Sequence, residues 1–428
     1  MKEKSKQNEF IQLLKESVSS FHTVLAAEKR LREDDFQELD MAEEWNLENM
    51  GKFYVKHRDS SLFAFTVGRD CSREIPLRIA AAHTDFPALY IKAKPQMESH
   101  GYMQLNVEVY GGPILNTWLD RPLSAAGRVV LRSGQVLKPE VRLVDFEEPF
   151  CTIPNLSIHM NREVNRGTEL NRQRDLLPVT GLADSLSKGD CFLAYMAERL
   201  EVRPEDILDF DLYLYCTAEP CYTGIHREFL SASHLDNTTG VQALLDGIRG
   251  DVQERGINVA AFFDNEEVGS RTAQGAASAQ LLNLLKKIFR SLKQPLPEEI
   301  LYRSMMLSVD VAHAVHPNRP EKADPVLAPL PGGGFCIKEA CSQSYPTDSS
   351  AIGIVQQICD AERIPWQKFA NRSDLPGGST LGNIASAFLP VPIVDIGAPV
   401  LAMHSVRELM AREDMEALSH CVRAFFTA

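Results

Sequence analysis

Much that would direct a chain elsewhere is scarce in these 428 residues. No uninterrupted apolar stretch approaches the ~20 residues that a membrane helix needs. The longest candidate, residues 384–403, is broken by Asp395 and by several Pro and Gly. The opening residues, Met1-Lys2-Glu3-Lys4-Ser5-Lys6-Gln7-Asn8, are charged where a secretory signal would be apolar. Positive charge is in deficit: 45 Lys and Arg face 58 Asp and Glu, a formal net charge of -13. Nucleic acid and anionic membrane surfaces would both be repelled by that balance. The nine cysteines are an odd count, and no two of them are separated by two residues, so neither a zinc ribbon nor a redox pair is indicated. Reduced thiols in a cytoplasmic protein are the expectation. Internal repeats and low-complexity segments are missing too.

What remains is ordinary globular composition, 44% hydrophobic and 24% charged. The length suits two domains better than one core. The most telling stretch is Phe263-Asp264-Asn265-Glu266-Glu267-Val268-Gly269-Ser270, where the apolar run 257–263 stops at three acids among four residues. Adjacent glutamates at a strand end point in different directions, so one can hold a metal while the other faces a water. Alone such a pair is most often solvated surface. Its weight comes from four other apolar runs that end at metal-ligand residues: 77–82 before His83-Thr84-Asp85, 229–233 before His234-Leu235-Asp236-Asn237, 305–309 before Asp310, and 391–394, leading through Met403 to His404. In open α/β sheets, ligands gather outside the carboxyl ends of the strands, so these residues fit one shared site.

His83, Asp236, Glu267, Asp310 and His404 form a set without cysteine, suited to catalytic zinc, with cobalt or manganese as alternatives. They are enough for two divalent ions sharing a bridging carboxylate, with Glu266 left over to take a proton from water. Asp85 is placed to hydrogen-bond His83 and fix its ring. His226, His234, His313 and His316 read as surface or satisfied core groups, His313 with a supporting role in reach. The glycine clusters at 331–334 and 376–380 lack the following Lys-Ser/Thr of a phosphate loop and read as pocket walls.

Helical spacing of Phe10, Leu13, Leu14, Val18 and Phe21 predicts one amphipathic helix over residues 8–32. Further helices are expected near 240–249, 269–292, 349–361 and 406–426. The stretch between the candidate ligands His83 and Asp236 has a different texture, with short alternating strands and turn signals at Gly111-Gly112-Pro113 and Ser133-Gly134. The expected organisation is a catalytic domain (1–95 and 218–428) interrupted by an inserted β-rich domain (96–217).

Ala82-His83-Thr84-Asp85, Leu235-Asp236-Asn237, Asp264 to Ser270, Ser308 to Asn318 and Met403 to Glu408 together resemble the metal motifs of the aspartyl aminopeptidase family, peptidase family M18. Asn116 to Leu123 and Ile153 to Met160 resemble signatures of that family's inserted domain. The likeness runs in order along nearly the whole chain. Two departures stand out: the family usually has Arg where this chain has His234, and residues 216–227 read differently.

The resemblance implies a three-layer αβα fold of the zinc-dependent exopeptidase kind, with an inserted dimerisation domain and a tetrahedral dodecamer built from dimers. It implies an aminopeptidase releasing Asp or Glu from peptide N-termini. Asp236 would bridge two ions, His83 and Asp310 would complete one site, and Glu267 and His404 the other. Glu266 would be general base and then acid, and Asp85, which orients His83, is counted with it among the catalytic residues. Lys338, following the first glycine cluster, would meet the acidic side chain, and His159 would reach a neighbouring subunit's site. Three rivals remain: a carboxypeptidase or deacylase of the same clan, an aminopeptidase preferring neutral residues, and a non-catalytic shell protein. The shell protein should have lost a ligand or the base, whereas all six positions are intact.

Overall fold

The computed structural model describes residues 2–47, 50–71, 76–183, 191–375 and 377–428, so Pro376, which opens the second glycine cluster, lies outside the described residues. The chain divides into two compact units. The first comprises Met1–Phe86, Pro220–Met403 and Glu408–Ala428; the second comprises Pro87–Glu219 with the short segment His404–Arg407.

A nine-stranded sheet organises the first unit. Its strands in chain order are β1 (Gln37–Glu38), β2 (Gly51–His57), β3 (Ser61–Val67), β4 (Leu77–His83), β5 (Ile257–Phe263), β6 (Met305–Val309), β7 (Phe335–Lys338), β8 (Trp366–Phe369) and β9 (Ile393–Gly397). In space the order is β1-β2-β3-β5-β4-β6-β9-β7-β8. The central four, β5, β4, β6 and β9, run parallel, so their carboxyl ends share one edge. Side chains alternate across a strand, and here both faces are dry: Leu77, Ile79 and Ala81 enter one apolar cluster while Ala80 and Ala82 enter the other. This explains the near-continuous apolar runs of the sequence, because strands covered on both sides need no polar face.

Helices supply the covers. Leu235–Ile248 and Arg412–Thr427 bury Leu244, Leu245, Leu418 and Val422 in one cluster. Gln280–Ser291 buries Leu281, Leu284, Leu285 and Ile288 in the other, at the spacing of one helical face. A separate five-stranded sheet joins Cys221–Thr223, Phe229–Ala232, Glu408–Ala411, Pro399–Leu401 and Ala312–His313.

The second unit is built on an antiparallel six-stranded sheet with one helix, Cys191–Leu200, among its described residues. The sheet order is Glu140–Asp145, Leu123–Leu131, Ile207–Cys216, Ala88–Ser99, Tyr102–Tyr110 and Val179–Leu182. Its core includes Leu89, Trp118, Phe146, Met196 and Leu212.

Three element expectations need correction. Residues 8–32 are parts of two helices, Lys2–Glu16 and Ser20–Glu33, because Ser19 takes an extended conformation and its hydroxyl accepts the His22 amide at 3.3 Å. The helix expected over 269–292 starts only at Gln280, since Gly269 and Ser270 adopt left-handed backbone (φ 96° and 60°). Glu408 begins a strand: Glu408–Ala411 pairs with Phe229–Ala232 and Pro399–Leu401, and the helix starts at Arg412. Pairing partners distant in sequence override the local helical pattern there.

Candidate metal centre

The edge where the parallel strands end collects most of the residues singled out in the sequence. β4 ends at His83, whose Nδ1 lies 3.0 Å from the main-chain carbonyl of Asp85 and 3.5 Å from its carboxylate. The orienting acceptor nearest the ring is thus the carbonyl of Asp85, where the sequence suggested its carboxylate. With Nδ1–H donating to that carbonyl, Nε2 faces Asp236 Oδ1 at 3.3 Å and Asp310 Oδ1 at 3.6 Å. Burial opposes a charged ring here, but hydrogen bonds to Asp236, Asp310 and Asp85 outweigh it and hold His83 well above the ordinary histidine range. A nitrogen between two carboxylates is a place for positive charge, whether a proton or a metal ion.

The Asp85 carboxylate has another task. Its two oxygens accept the main-chain amides of Glu266 and Glu267, each at 3.1 Å. One buried side chain thereby fixes both glutamates, which form a short 3-10 turn entered through left-handed Asn265 (φ 63°). Half-buried Glu266 is pushed up to about 8, chiefly by burial; His83 lowers it, while Asp310, Asp85 and Asp236 raise it. Asp264 is pushed up to about 7 by burial and by the Asp85 charge.

Asp236 sits where the Leu235–Ile248 helix begins irregularly, and the peptide joining it to Asn237 is cis. The Asp236 amide donates to Glu408 Oε2 at 3.0 Å, and Asn237 Nδ2 donates to the Val309 carbonyl at 2.8 Å. Asp310 follows β6, its carboxylate accepting the Val311 amide at 2.7 Å. Burial raises Asp310, yet Lys338 and His83 bring it below the usual carboxylate range. Lys338 is buried on β7, its ammonium 3.4 Å from Asp310 Oδ2 and 3.1 Å from the Val311 carbonyl.

His83, Asp236 and Glu267 each offer a ligand atom, all within 4.8 Å of one another. Asp310 joins them through its approach to His83. One imidazole nitrogen among carboxylates is a hard-to-borderline donor set, and it fits a divalent ion such as zinc. His404 is not grouped with them: it falls in the second unit, where its Nδ1 lies 3.0 Å from the Gly112 carbonyl. His159 is an exposed residue of the second unit.

His313 is exposed, with its ring edge-on to Phe369 at 6.0 Å between centroids. His234 is stacked on Phe86 at 3.5 Å, and burial pushes it down to about 4. The first glycine cluster is fastened by Asp414, which accepts the amides of Gly332 and Gly334 at 2.8 Å each. Sequence reading missed Glu408 as a support of Asp236. The available signal was an acid opening an apolar run, Glu408-Leu409-Met410-Ala411.

The family model of the aminopeptidase I zinc metalloprotease (M18) matches residues 13–426. A probable M18 family aminopeptidase 2 of Clostridium novyi is 46% identical over 419 residues, covering 97% of each chain. Among solved structures, a chain in the Ape4 and Nbr1 complex superposes with TM-score 0.95 at 30% identity, over 99% of this chain and 86% of that one. The mApe1 dodecamer of S. cerevisiae gives TM-score 0.85 at 24% identity, over 99% and 96%.

Proposed function

The chain belongs to the aminopeptidase I zinc metalloprotease (M18) family, and from that premise we propose that it releases N-terminal Asp and Glu from peptides at a two-metal centre. A metallo-aminopeptidase is what the family membership supports directly. The detailed reading is supported by one observation above others: Asp85 pins the amides of Glu266 and Glu267, so one glutamate is placed with His83 and Asp236 while its neighbour stays available for proton transfer.

His83, Asp236, Glu267 and Asp310 would hold the metal. His404 is retained as a fifth ligand on the resemblance alone; its Nδ1 is engaged by Gly112, so Nε2 is the atom that role requires. When bound, divalent ions supply Lewis acidity toward the scissile carbonyl and lower the pKa of water. Glu266 takes a proton from the attacking water and delivers it to the departing amine. A carboxyl already pushed toward neutrality by its surroundings is suited to both halves of that exchange.

Preference for an acidic first residue needs a cation, because the chain carries -13 and the centre is ringed with carboxylates. Lys338, a buried ammonium beside Asp310, would be the cation that meets an aspartyl or glutamyl side chain. His159 of a neighbouring subunit would add a second hydrogen bond. Assembly into a dodecamer accords with the S. cerevisiae relative and with exposed apolar residues of the second unit, among them Leu156, Ile158 and Met160. Nine cysteines, an odd count without the spacing of a zinc ribbon or a redox pair, accord with a cytoplasmic setting.

The test is a panel of Asp-, Glu- and Leu-linked chromogenic amides and N-blocked peptides, assayed with added zinc and with chelator. Asp and Glu amides should be hydrolysed only with metal, and N-blocked peptides spared. Cleavage of blocked peptides instead would make the protein a carboxypeptidase or deacylase. Preference for Leu would remove the acidic specificity and leave the aminopeptidase.

A further inference from the structure

Register across β6, β9 and β7 lines up three polar residues in the middle of an apolar sheet. Ser308 stands opposite Asp395 in the parallel pair β6–β9, and Asp395 stands opposite Lys338 in the antiparallel pair β9–β7. Directly opposed residues project from the same face, with Cβ atoms about 4.5–5.5 Å apart. Ser308 and Asp395 are 0% exposed and Lys338 1%. Their strand neighbours are apolar: Leu307 and Val309, Val394 and Ile396, Ile337. A buried carboxylate and a buried ammonium with no counter-charge would each be strongly unfavourable.

Neither carboxylate oxygen of Asp395 has a well-formed hydrogen bond. The hydroxyls of Ser308 and Thr380 face it and, with Lys338, favour its ionised form; burial pushes it up to about 6, which leaves it charged at neutral pH. Its amide donates to Thr347 Oγ1 at 3.0 Å, fixing the backbone beneath it. Gly382 closes the pocket from the other side, and a Cβ there would stand 2.7 Å from Ser308 Oγ and 3.2 Å from Asp395 Oδ2. Lys338 also touches Asp310, but that carboxylate is a proposed metal ligand and its charge would be shared with the ion. Lys338 therefore needs a second anion that no ligand claims.

We propose that Asp395 is the positioning residue of Lys338: opposite it in the Ser308–Asp395–Lys338 row but beyond ion-pair contact, its carboxylate supplies the through-space negative charge that favours the ammonium in its buried place beside the proposed metal centre. This rests on the reading of Lys338 as the group that meets the acidic substrate side chain. Asp395 itself touches no substrate. It acts through Lys338, and its loss should be felt in selectivity more than in peptide cleavage as such.

Two measurements test the pair together. The first is a double-mutant cycle on melting temperature with Asp395→Asn, Lys338→Met and both, using zinc-loaded and chelated protein. The double variant should lose clearly less than the summed single losses, because the second change relieves the charge that the first stranded. Additive losses in both forms overturn the proposal. If Asp395→Asn alone does not fold, adding Lys338→Met should restore folding, and failure to restore it overturns the proposal equally. The second is the ratio of kcat/KM for Asp and Leu amides, which should fall about tenfold or more in Asp395→Asn, carried mainly by KM for the Asp substrate. An equal loss on both substrates would make Asp395 a general stabiliser and refute the positioning role. Should Lys338→Met leave the ratio unchanged, the reading of Lys338 fails, while the melting cycle still decides whether the two residues are partners.

Discussion

Among the described residues, the interior of the first unit holds Glu28, Arg30, His83, Asp85, Asp236, Asp264, Lys338, Asp395, Glu408 and Asp414, all buried and all acidic, basic or histidine. Among the described residues of the second unit no acidic, basic or histidine side chain is buried, and Ser124 is the one buried polar side chain apart from cysteine and aromatic residues. Both units expose large apolar side chains, and the second, the shorter of the two, carries Tyr102, Ile114, Leu156, Ile158, Met160 and Leu182 on its surface. Burying an ionisable group is unfavourable unless another group or an ion compensates it, so a fold that accumulates ten of them calls for partners or an ion inside. Exposing large apolar side chains is likewise unfavourable unless a surface covers them. Charge kept inside the first unit accords with the metal chemistry proposed for it, and the exposed apolar residues of the second accord with the subunit contact proposed there.

Removing chemistry from the first unit should give the largest effects. Glu266→Gln should keep the metal and lose turnover by roughly 10²–10⁴-fold, the range for a positioned acid–base group. Glu267→Gln should lose metal as well as turnover. Metal content by atomic spectroscopy beside kcat separates the two, and near-normal turnover in Glu266→Gln would sink the assignment.

The second unit should be broken by charge on its surface. Leu156→Glu combined with Met160→Glu replaces two exposed apolar side chains and leaves the core of that unit intact. Light scattering should then report a smaller particle than the unmodified protein, with near-ultraviolet signals of folding retained. An unchanged mass would show that the apolar surface of this unit is not the subunit contact.

The candidate metal centre stands out in the sequence for a physical reason. Strands covered on both faces are apolar throughout, so His83, Asp310 and the Glu266-Glu267 pair stand out as abrupt ends of apolar runs. The α/β class followed from the same runs, and the family from motifs in order. What stayed hidden depends on register between distant segments. Nothing local says that Asp395 lies opposite Lys338, or that Glu408 reaches the Asp236 amide. Lys338 was noticed through its glycine loop, yet its burial on a strand beside Asp310 was not readable. Asp85 meets His83 as its spacing suggests, through its carboxylate at 3.5 Å, but the nearer carbonyl at 3.0 Å leaves no trace in residue identity. The strand Glu408–Ala411 looked like the start of a helix for lack of its partners Phe229–Ala232 and Pro399–Leu401.

The smallest expected effect sharpens the contrast through pH. Asp414 is 0% exposed and fastens the glycine loop before β7 by accepting the amides of Gly332 and Gly334. Burial pushes it up to about 6; the two amides oppose the rise and Glu413 adds to it. The folded value thus lies above that of the unfolded chain, near 3.9. Between those values the folded protein binds the extra proton, so the stability contribution is fully present below about pH 4 and is lost as pH rises through about 6. Two pH units of separation set a ceiling of about 3 kcal/mol on the loss. Asp414→Asn cannot ionise, so subtracting its stability from that of the unmodified protein should leave a difference that falls from pH 4 to pH 7. Subtraction cancels the other acids, Asp264 and Asp395 included. Denaturant titrations of the two proteins across that range measure the difference directly. A flat difference would mean that the loop amides stabilise the carboxylate as much as burial destabilises it, and one that rises with pH that they do so more.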